Sequence, residues 1–236
     1  MEMEISFDNA IKSYKDDFVR FSVGNRKEQV THHEVRNLKL EVNNVDWKEI
    51  RNLTEKGEST QVHIKGQQKN LYGQVTSEHD LDTLKSVVIK EGVLKGLENI
   101  EVTMELPLPE DVQKFLGQTV TIDPRKQENK LENKTKVTLT SGTEHVSNAH
   151  GATAQIITSV RKYEGEFSCE VYPSGNVLLF DGDRARSSPE LKEVIAKCPT
   201  GFKTNGSDFY WIMKGKVNFT WEVDHGHDWK HNEGKM

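Results

Sequence analysis

The sequence of 236 residues predicts an α+β protein: a mixed N-terminal module, and a mainly antiparallel β-sheet C-terminal module with one covering helix. Three observations predict this class: an apolar stripe with helical spacing near the start, repeated alternation of apolar and polar residues, and a long polar stretch between them. The polar stretch, residues 123–136, has Leu131 as its one aliphatic side chain, so it cannot bury itself. We therefore predict an α+β module at 1–122, a polar linker or long loop at 123–136, and a β-rich module at 137–236. A long hairpin loop inside a single domain is the alternative.

The N-terminal module is predicted to mix helices and strands. Phe7, Ile11, Tyr14 and Phe18 recur at helical spacing, which indicates an amphipathic helix docked on the body of the protein, or alternatively a partner-binding helix. Alternation and short apolar runs predict strands at residues 34–43, 62–64, 71–76, 100–106 and 120–122. Further helices are predicted to begin at Asp46, at Asp80 with an end near Gly92, and at Pro109 with an end near Gly117.

The C-terminal module is predicted to be an antiparallel sheet. Residues 163–171 and 177–180 are β-rich runs around Pro173-Ser174-Gly175-Asn176, a pattern typical of a hairpin. Ser188 and Pro189 fit the cap and first position of a helix. Residues 217–223 give the cleanest alternation in the chain, so Phe219 and Trp221 are expected to belong to the core rather than to the surface.

Composition narrows the class of protein. A net charge of −5 at pH 7 argues against a dedicated duplex-DNA binder. Apolar runs are too short for a membrane span, and the acidic start does not resemble a secretory signal, so we expect a cytoplasmic protein with no membrane partner. Cys169 and Cys198 are expected to be reduced thiols, with one disulfide in a secreted mature form as the alternative.

The sharpest local feature is a cluster of histidines and aspartates near the end of the chain. Imidazole and carboxylate are good ligands for zinc and similar divalent metals, although no cofactor is otherwise expected. The alternative is a polar tail that leaves a strand. The candidate ligands are Asp224, His225, His227, Asp228 and His231.

A second acidic feature follows the apolar run at 177–180. Asp181 and Asp183 have the spacing that can hold Mg²⁺ or place a nucleophilic carboxylate. The favoured interpretation is an acidic turn after a strand, because Asp and Gly are common turn residues.

Aromatic residues interspersed with lysines near the end suggest a surface that could stack single-stranded bases and follow phosphates. The candidate residues are Trp211, Lys214 and Lys216. Nucleic acid is the less favoured partner, because the overall charge is acidic and the neighbouring aromatics share the parity of core positions.

No nucleotide-binding loop, nucleophile elbow or zinc-protease motif is found. The leading hypothesis is therefore a non-catalytic intracellular interaction or assembly protein. It would act through contacts with a protein partner or with copies of itself, and a viral or mobile-element accessory protein has this profile. The alternatives are a metal-dependent hydrolase or nuclease using the His/Asp cluster, and a single-stranded nucleic-acid binder.

Overall fold

The computed structural model describes residues 5–21, 30–53, 60–68, 75–140 and 152–231. Its helices are α1 (Phe7–Phe21), α2 (Glu110–Leu116) and α3 (Leu191–Ile195). Its strands are β1 (Ile5–Ser6), β2 (His32–Leu53), β3 (Thr60–Gln68), β4 (Val75–Glu91), β5 (Leu94–Lys95), β6 (Met104–Pro107), β7 (Thr119–Ile122), β8 (Glu128–Thr140), β9 (Ala152–Asp181), β10 (Arg184–Ser187), β11 (Lys203–Asn205) and β12 (Asp208–His231). None of the described helices is both long and apolar enough to cross a membrane.

The predicted α+β class is wrong, because strands make up most of the described chain. Two predicted helices are strands instead: Asp46 lies within β2 and Asp80 within β4. In β4, Val87 and Ile89 are buried while Val88 between them is half-buried. Apolar side chains on both faces of a strand produced the spacing that resembled a helix, whereas the run of β-branched residues favours an extended chain.

The predicted hairpin around residues 173–176 is also wrong, because β9 continues through this stretch without reversing. Gly175 has a φ of +137°, and a Cβ there would lie 2.8 Å from the Arg36 carbonyl oxygen and 3.0 Å from that of Asn37. Glycine is needed at this point so that the backbone of β2 can approach β9. The turn-like sequence therefore serves a close approach between strands.

The chain divides into two compact units. The first unit comprises residues 1–48, 87–129 and 165–217. The predicted N-terminal helix is confirmed as α1, and it is docked, since Phe7, Ala10 and Ile11 are buried. The Phe7 ring stacks on Phe202 with centroids 5.7 Å apart and meets the edge of Trp211 at 6.4 Å. This aromatic group anchors α1 to the core of the first unit.

Shorter elements of the first unit agree with several predictions. β6 and β7 form an antiparallel pair from Met104 opposite Ile122 to Pro107 opposite Thr119, and α2 lies between them in sequence. The predicted helix after Pro189 is confirmed as α3, although its N-cap is Glu190. The predicted strands at 34–43 and 120–122 are confirmed within β2 and β7.

The polar stretch at 123–136 begins with a turn that Arg125 holds in place. Arg125 pairs with Asp123 at 2.9 Å and donates hydrogen bonds to the carbonyl oxygens of Leu97 at 2.6 Å and Ile100 at 2.8 Å. From Glu128 onward the stretch is β8. The division of the chain at 1–122, 123–136 and 137–236 stays a prediction.

The second unit comprises residues 49–86, 130–164 and 218–236. Here β3 pairs antiparallel with β9, from Thr60 opposite Thr158 to Gly66 opposite Ala152. The rings of Tyr163 and Phe219 stack at 6.2 Å, and Phe219 and Trp221 are buried, so their predicted core role is confirmed. A neighbouring cluster consists of Leu139, Ala154 and Ile156, with Val137 and Trp229 packed against it.

The two cysteines are not bonded to each other, and their environments differ. Cys169 is buried and Cys198 is half-buried. Burial, together with the charge of Glu170, raises the pKa of the Cys169 thiol to about 12. In the unfolded chain the same thiol ionises near pH 9, so the folded state should lose stability as the pH rises from 9 toward 12.

We expect Cys198 to react with a thiol reagent such as Ellman's reagent in the native protein, whereas Cys169 should react after unfolding. The thiolate is the reactive form, and burial suppresses it at Cys169. Titration of thiols with and without guanidinium chloride measures this difference. A Cys198→Ser variant that still reacts fully in the native state would contradict it.

Candidate functional site

The predicted metal ligands do not converge among the described residues. No group of three or more His, Cys, Asp or Glu side chains in the described ranges could hold a metal ion. The Nε2 atom of His225 lies 2.5 Å from the Oγ atom of Ser159. The Nε2 atom of His227 lies 3.5 Å from the Thr140 carbonyl oxygen. The carboxylate of Asp224 accepts a hydrogen bond from the Gly226 backbone at 2.8 Å. Each of these side chains therefore has a separate local partner.

The remaining members of that set add no further ligand geometry. Asp228 is exposed on β12, and the side chain of His231 lies outside the described residues. The second acidic feature is a turn, as favoured from the sequence: Gly182 and Asp183 reverse the chain between β9 and β10, with Arg184 opposite Asp181. Asp181 pairs with Arg186 at 2.8 Å across this turn.

The three predicted nucleic-acid-binding residues lie on β12 in different environments. Trp211 is 0% exposed, and its Nε1 donates a hydrogen bond to the Gly92 carbonyl oxygen at 3.0 Å. Lys214 pairs with Glu91 at 2.8 Å and Lys216 with Glu166 at 2.9 Å. The hydrogen bond from Lys216 and its charge hold the pKa of Glu166 below its ordinary value. The aromatic ring is thus in the core, and both lysines have carboxylate partners.

Strand β8 is exposed along most of its length. It pairs with β4, where Lys134 lies 3.4 Å from Asp82 and Lys136 lies 3.2 Å from Glu78. Every side chain from 128 to 136 is exposed except Asn129, which is half-buried, and Leu131 is 39% exposed. In the described part of the chain, β4 is the strand that pairs with β8, so β8 forms an edge of its sheet.

The charges of β8 are arranged antisymmetrically about Leu131, so that charged residues equally far from it on the two sides have opposite charge. Glu128, Lys130, Glu132 and Lys134 alternate in sign along one face, because side chains two residues apart point the same way. Leu131 is at the centre of this run. Edge strands with backbone groups open to solvent are templates for pairing with another chain.

A polar cleft of about 800 Å³ lies in the first unit, where β2, β9, the start of α3 and the β11–β12 turn meet. We call it the Tyr172 cleft. Its lining includes Asn43, Asn44, Tyr172, Glu190, Asn205 and Asp208. Sequence analysis missed this cleft, because its side chains come from four segments that are distant in the chain and form no motif.

Hydrogen bonds link three of these segments. Glu170 accepts hydrogen bonds from the Asn44 amide at 2.8 Å and from the Tyr172 hydroxyl at 2.9 Å, and Asn205 donates to the Tyr172 hydroxyl at 3.3 Å. The ring of Tyr172 stacks on Tyr210 with centroids 5.0 Å apart. The hydrogen bond from Asn205 lowers the pKa of Tyr172, but desolvation and Glu170 outweigh it, so the pKa is raised and the hydroxyl stays protonated.

One residue of the Tyr172 cleft, Asn44, has a positive φ. Asn44 has a φ of +51°, in the left-handed region that asparagine adopts more readily than most other residues with a side chain. Here the hydrogen bond to Glu170 holds the Asn44 side chain. This hydrogen bond joins β2 to β9 at the wall of the cleft.

No family model and no curated protein matches the sequence. Among solved structures, a non-toxic crystal protein from Bacillus thuringiensis is 13% identical with a TM-score of 0.32, covering 97% of this chain and 96% of that one. The Cry23Aa1 and Cry37Aa1 binary protein complex is 10% identical with a TM-score of 0.32, covering 98% of this chain and 97% of that one. The Mpp75Aa1.1 β-pore-forming protein from Brevibacillus laterosporus is 12% identical with a TM-score of 0.29, covering 96% of this chain and 87% of that one. Likenesses with TM-scores this low assign neither a fold family nor a function to this chain.

Proposed function

We propose that this protein is a non-catalytic assembly protein that pairs with a second copy of itself through the edge of β8. The supporting observation is the exposed, charge-alternating edge of that strand. Addition of a strand to an open edge is a recurrent mode of protein recognition, in which backbone hydrogen bonds supply affinity and side chains supply specificity.

The order of charges favours a second copy over an unrelated partner. When two β8 strands run antiparallel with Leu131 opposite Leu131, Lys130 faces Glu132 and Glu128 faces Lys134. Each of these pairs occurs twice, because a two-fold axis relates the strands. Opposite charges directly across a strand pair contribute about 0.2–1 kcal/mol each, and like charges destabilise the pair.

Charge reversal tests this register. Glu132→Lys places a lysine opposite Lys130 at two symmetric positions. We therefore expect the dissociation constant of the dimer to rise about tenfold or more. The double variant Lys130→Glu/Glu132→Lys restores opposite charges and should restore association. Sedimentation velocity over a concentration series measures both.

Glu98→Lys is the matched control, since Glu98 is exposed outside β8 and the substitution makes the same change in net charge. Wild-type protein that sediments as a monomer at every concentration contradicts the proposal. Equal weakening by Glu98→Lys and Glu132→Lys contradicts the β8 register.

A cross-linking experiment tests the same contact without changing charge. In a Cys198→Ser background, Leu131→Cys should form an intermolecular disulfide under mild oxidation, because directly opposed residues have the spacing that a disulfide needs. Phe115→Cys is a suitable control, since Phe115 is 38% exposed and Leu131 is 39% exposed. Equal cross-linking of the two variants would argue against pairing at β8.

The two other functions expected from the sequence are not carried forward, because the described His and Asp side chains do not converge and Trp211 is buried. The cytoplasmic location and the viral or mobile-element origin stay predictions from the sequence.

A further inference from the structure

We propose that the Tyr172 cleft is a binding site for a neutral saccharide. Three properties of the cleft lead to this inference: the chemistry of its lining, its charge, and its preorganisation. The inference concerns the first unit, and it is independent of pairing through β8.

The lining presents hydrogen-bond donors and acceptors side by side. Asn43, Asn44 and Asn205 supply amides, while Glu190 and Asp208 supply carboxylates. Each sugar hydroxyl is both a donor and an acceptor, and adjacent hydroxyls can bridge an amide and a carboxylate at once. A purely apolar ligand would leave these polar atoms desolvated without compensation.

Aromatic rings complete the lining. Tyr172 and Phe209 both line the cleft, and the Tyr172 ring also stacks on Tyr210. The C–H face of a pyranose ring is apolar and can pack against such a ring, while its hydroxyl edge meets the polar groups. A single lining that offers both surfaces suits a molecule with one apolar face and a polar rim.

Charge argues against phosphates, nucleotides and other anions. Among the described lining residues Lys192 is the single cation, and it pairs with Glu190 at 2.8 Å. Glu41 and Asp208 add further negative charge to the cleft. An anionic ligand would be repelled, whereas an uncharged polyol would not.

Preorganisation lowers the entropic cost of binding. The hydrogen-bonded series Asn44, Glu170, Tyr172 and Asn205 links polar groups from three segments in the absence of a ligand. Rigid sites gain affinity mainly because fewer side chains must be ordered on binding. This matters for saccharides in particular, since their hydroxyls must also be released from water.

The test begins with full-length protein on an immobilised panel of neutral, sialylated and sulfated oligosaccharides, followed by calorimetry with the soluble form of any neutral oligosaccharide that binds. Asn205→Ala and Tyr172→Phe should each weaken binding about tenfold, since each removes a member of the network. Asn218→Ala is the matched control, because Asn218 is exposed on β12 in the second unit and should leave affinity unchanged.

Asn205 is exposed at the end of β11, so its variant should fold even if Tyr172→Phe perturbs the cleft, and circular dichroism checks both. Affinity for a neutral oligosaccharide should be nearly the same at low and high salt. Failure of all neutral oligosaccharides to bind overturns the proposal, as does equal affinity of the Asn205→Ala variant and wild type. Binding restricted to charged glycans, or replaced by salt-sensitive binding of a lysine-rich peptide, also overturns it.

Discussion

Trp211→Ala should lower the free energy of unfolding by about 3–5 kcal/mol, as expected for truncation of a large aromatic side chain in a core. Trp211 is 0% exposed, and its ring meets Phe7 edge-on at 6.4 Å and Phe202 at 6.0 Å. Its removal leaves a cavity beneath α1 and deprives the Gly92 carbonyl oxygen of the indole donor. Chemical denaturation followed by circular dichroism measures the loss.

Two further variants separate the contributions. Trp211→Phe keeps an aromatic ring but removes the N–H group, so it should cost about 1–2 kcal/mol through the hydrogen bond alone, plus a smaller packing loss. Trp47→Ala serves as a comparison, because Trp47 is half-buried and contacts Phe167 at a centroid distance of 5.7 Å. If Trp211→Ala cost no more than Trp47→Ala, the placement of Trp211 in the core would be incorrect.

Gly92→Ala should destabilise the fold by about 3 kcal/mol or more, from backbone strain and steric overlap together. Gly92 has a φ of +80°, and a Cβ there would overlap the Ile212 carbonyl oxygen and lie 3.1 Å from the Met213 Cα. Both of those atoms belong to backbone, which cannot move aside as a flexible side chain could. Equilibrium unfolding in urea gives the change in free energy.

Gly206→Ala is the matched control for this prediction. Gly206 has a φ of +62°, but nothing lies within 4 Å of a Cβ built there. It should therefore show the cost of strain alone, about 1–2 kcal/mol. Equal losses at the two positions would mean that the close approach of β12 to Gly92 contributes nothing.

Local patterns predicted the elements whose side chains are divided cleanly between core and solvent. Phe7 and Ile11 marked α1, and the alternation through Phe219 and Trp221 marked part of β12. Prediction failed around Val87 and Val88, because apolar side chains on both the buried and the half-buried face of β4 obscure the period of two in the sequence, although burial itself alternates. A wrong helix followed there and, with it, a wrong fold class.

Turn chemistry misled at Gly175 for a different reason. Glycine permits both chain reversal and close approach of another backbone, and the choice depends on β2, which lies far away in sequence. The same limit applies to the polar residues from Glu128 onward: their composition resembles a surface loop, but pairing with β4 makes them a strand. Pairing partners of this kind are non-local and leave no local signal.

The candidate sites show the same contrast between patterns visible in the sequence and contacts that form only on folding. The alternation of charge in β8 is visible in the sequence, but its exposure at a sheet edge is not. Asn44, Tyr172 and Asn205 are unremarkable where they stand in the chain, and their shared hydrogen bonds through Glu170 exist only after folding. Conversely, the histidines of β12 are close together in sequence, yet His225 contacts β9 and His227 contacts β8.

Asn44 combines a left-handed backbone conformation with a side-chain contact between two strands. An Asn44→Gly exchange would keep that φ accessible, yet it would delete the amide that donates a hydrogen bond to Glu170. Asparagine at this position therefore joins β2 to β9 through its side chain, in addition to the backbone pairing of the two strands.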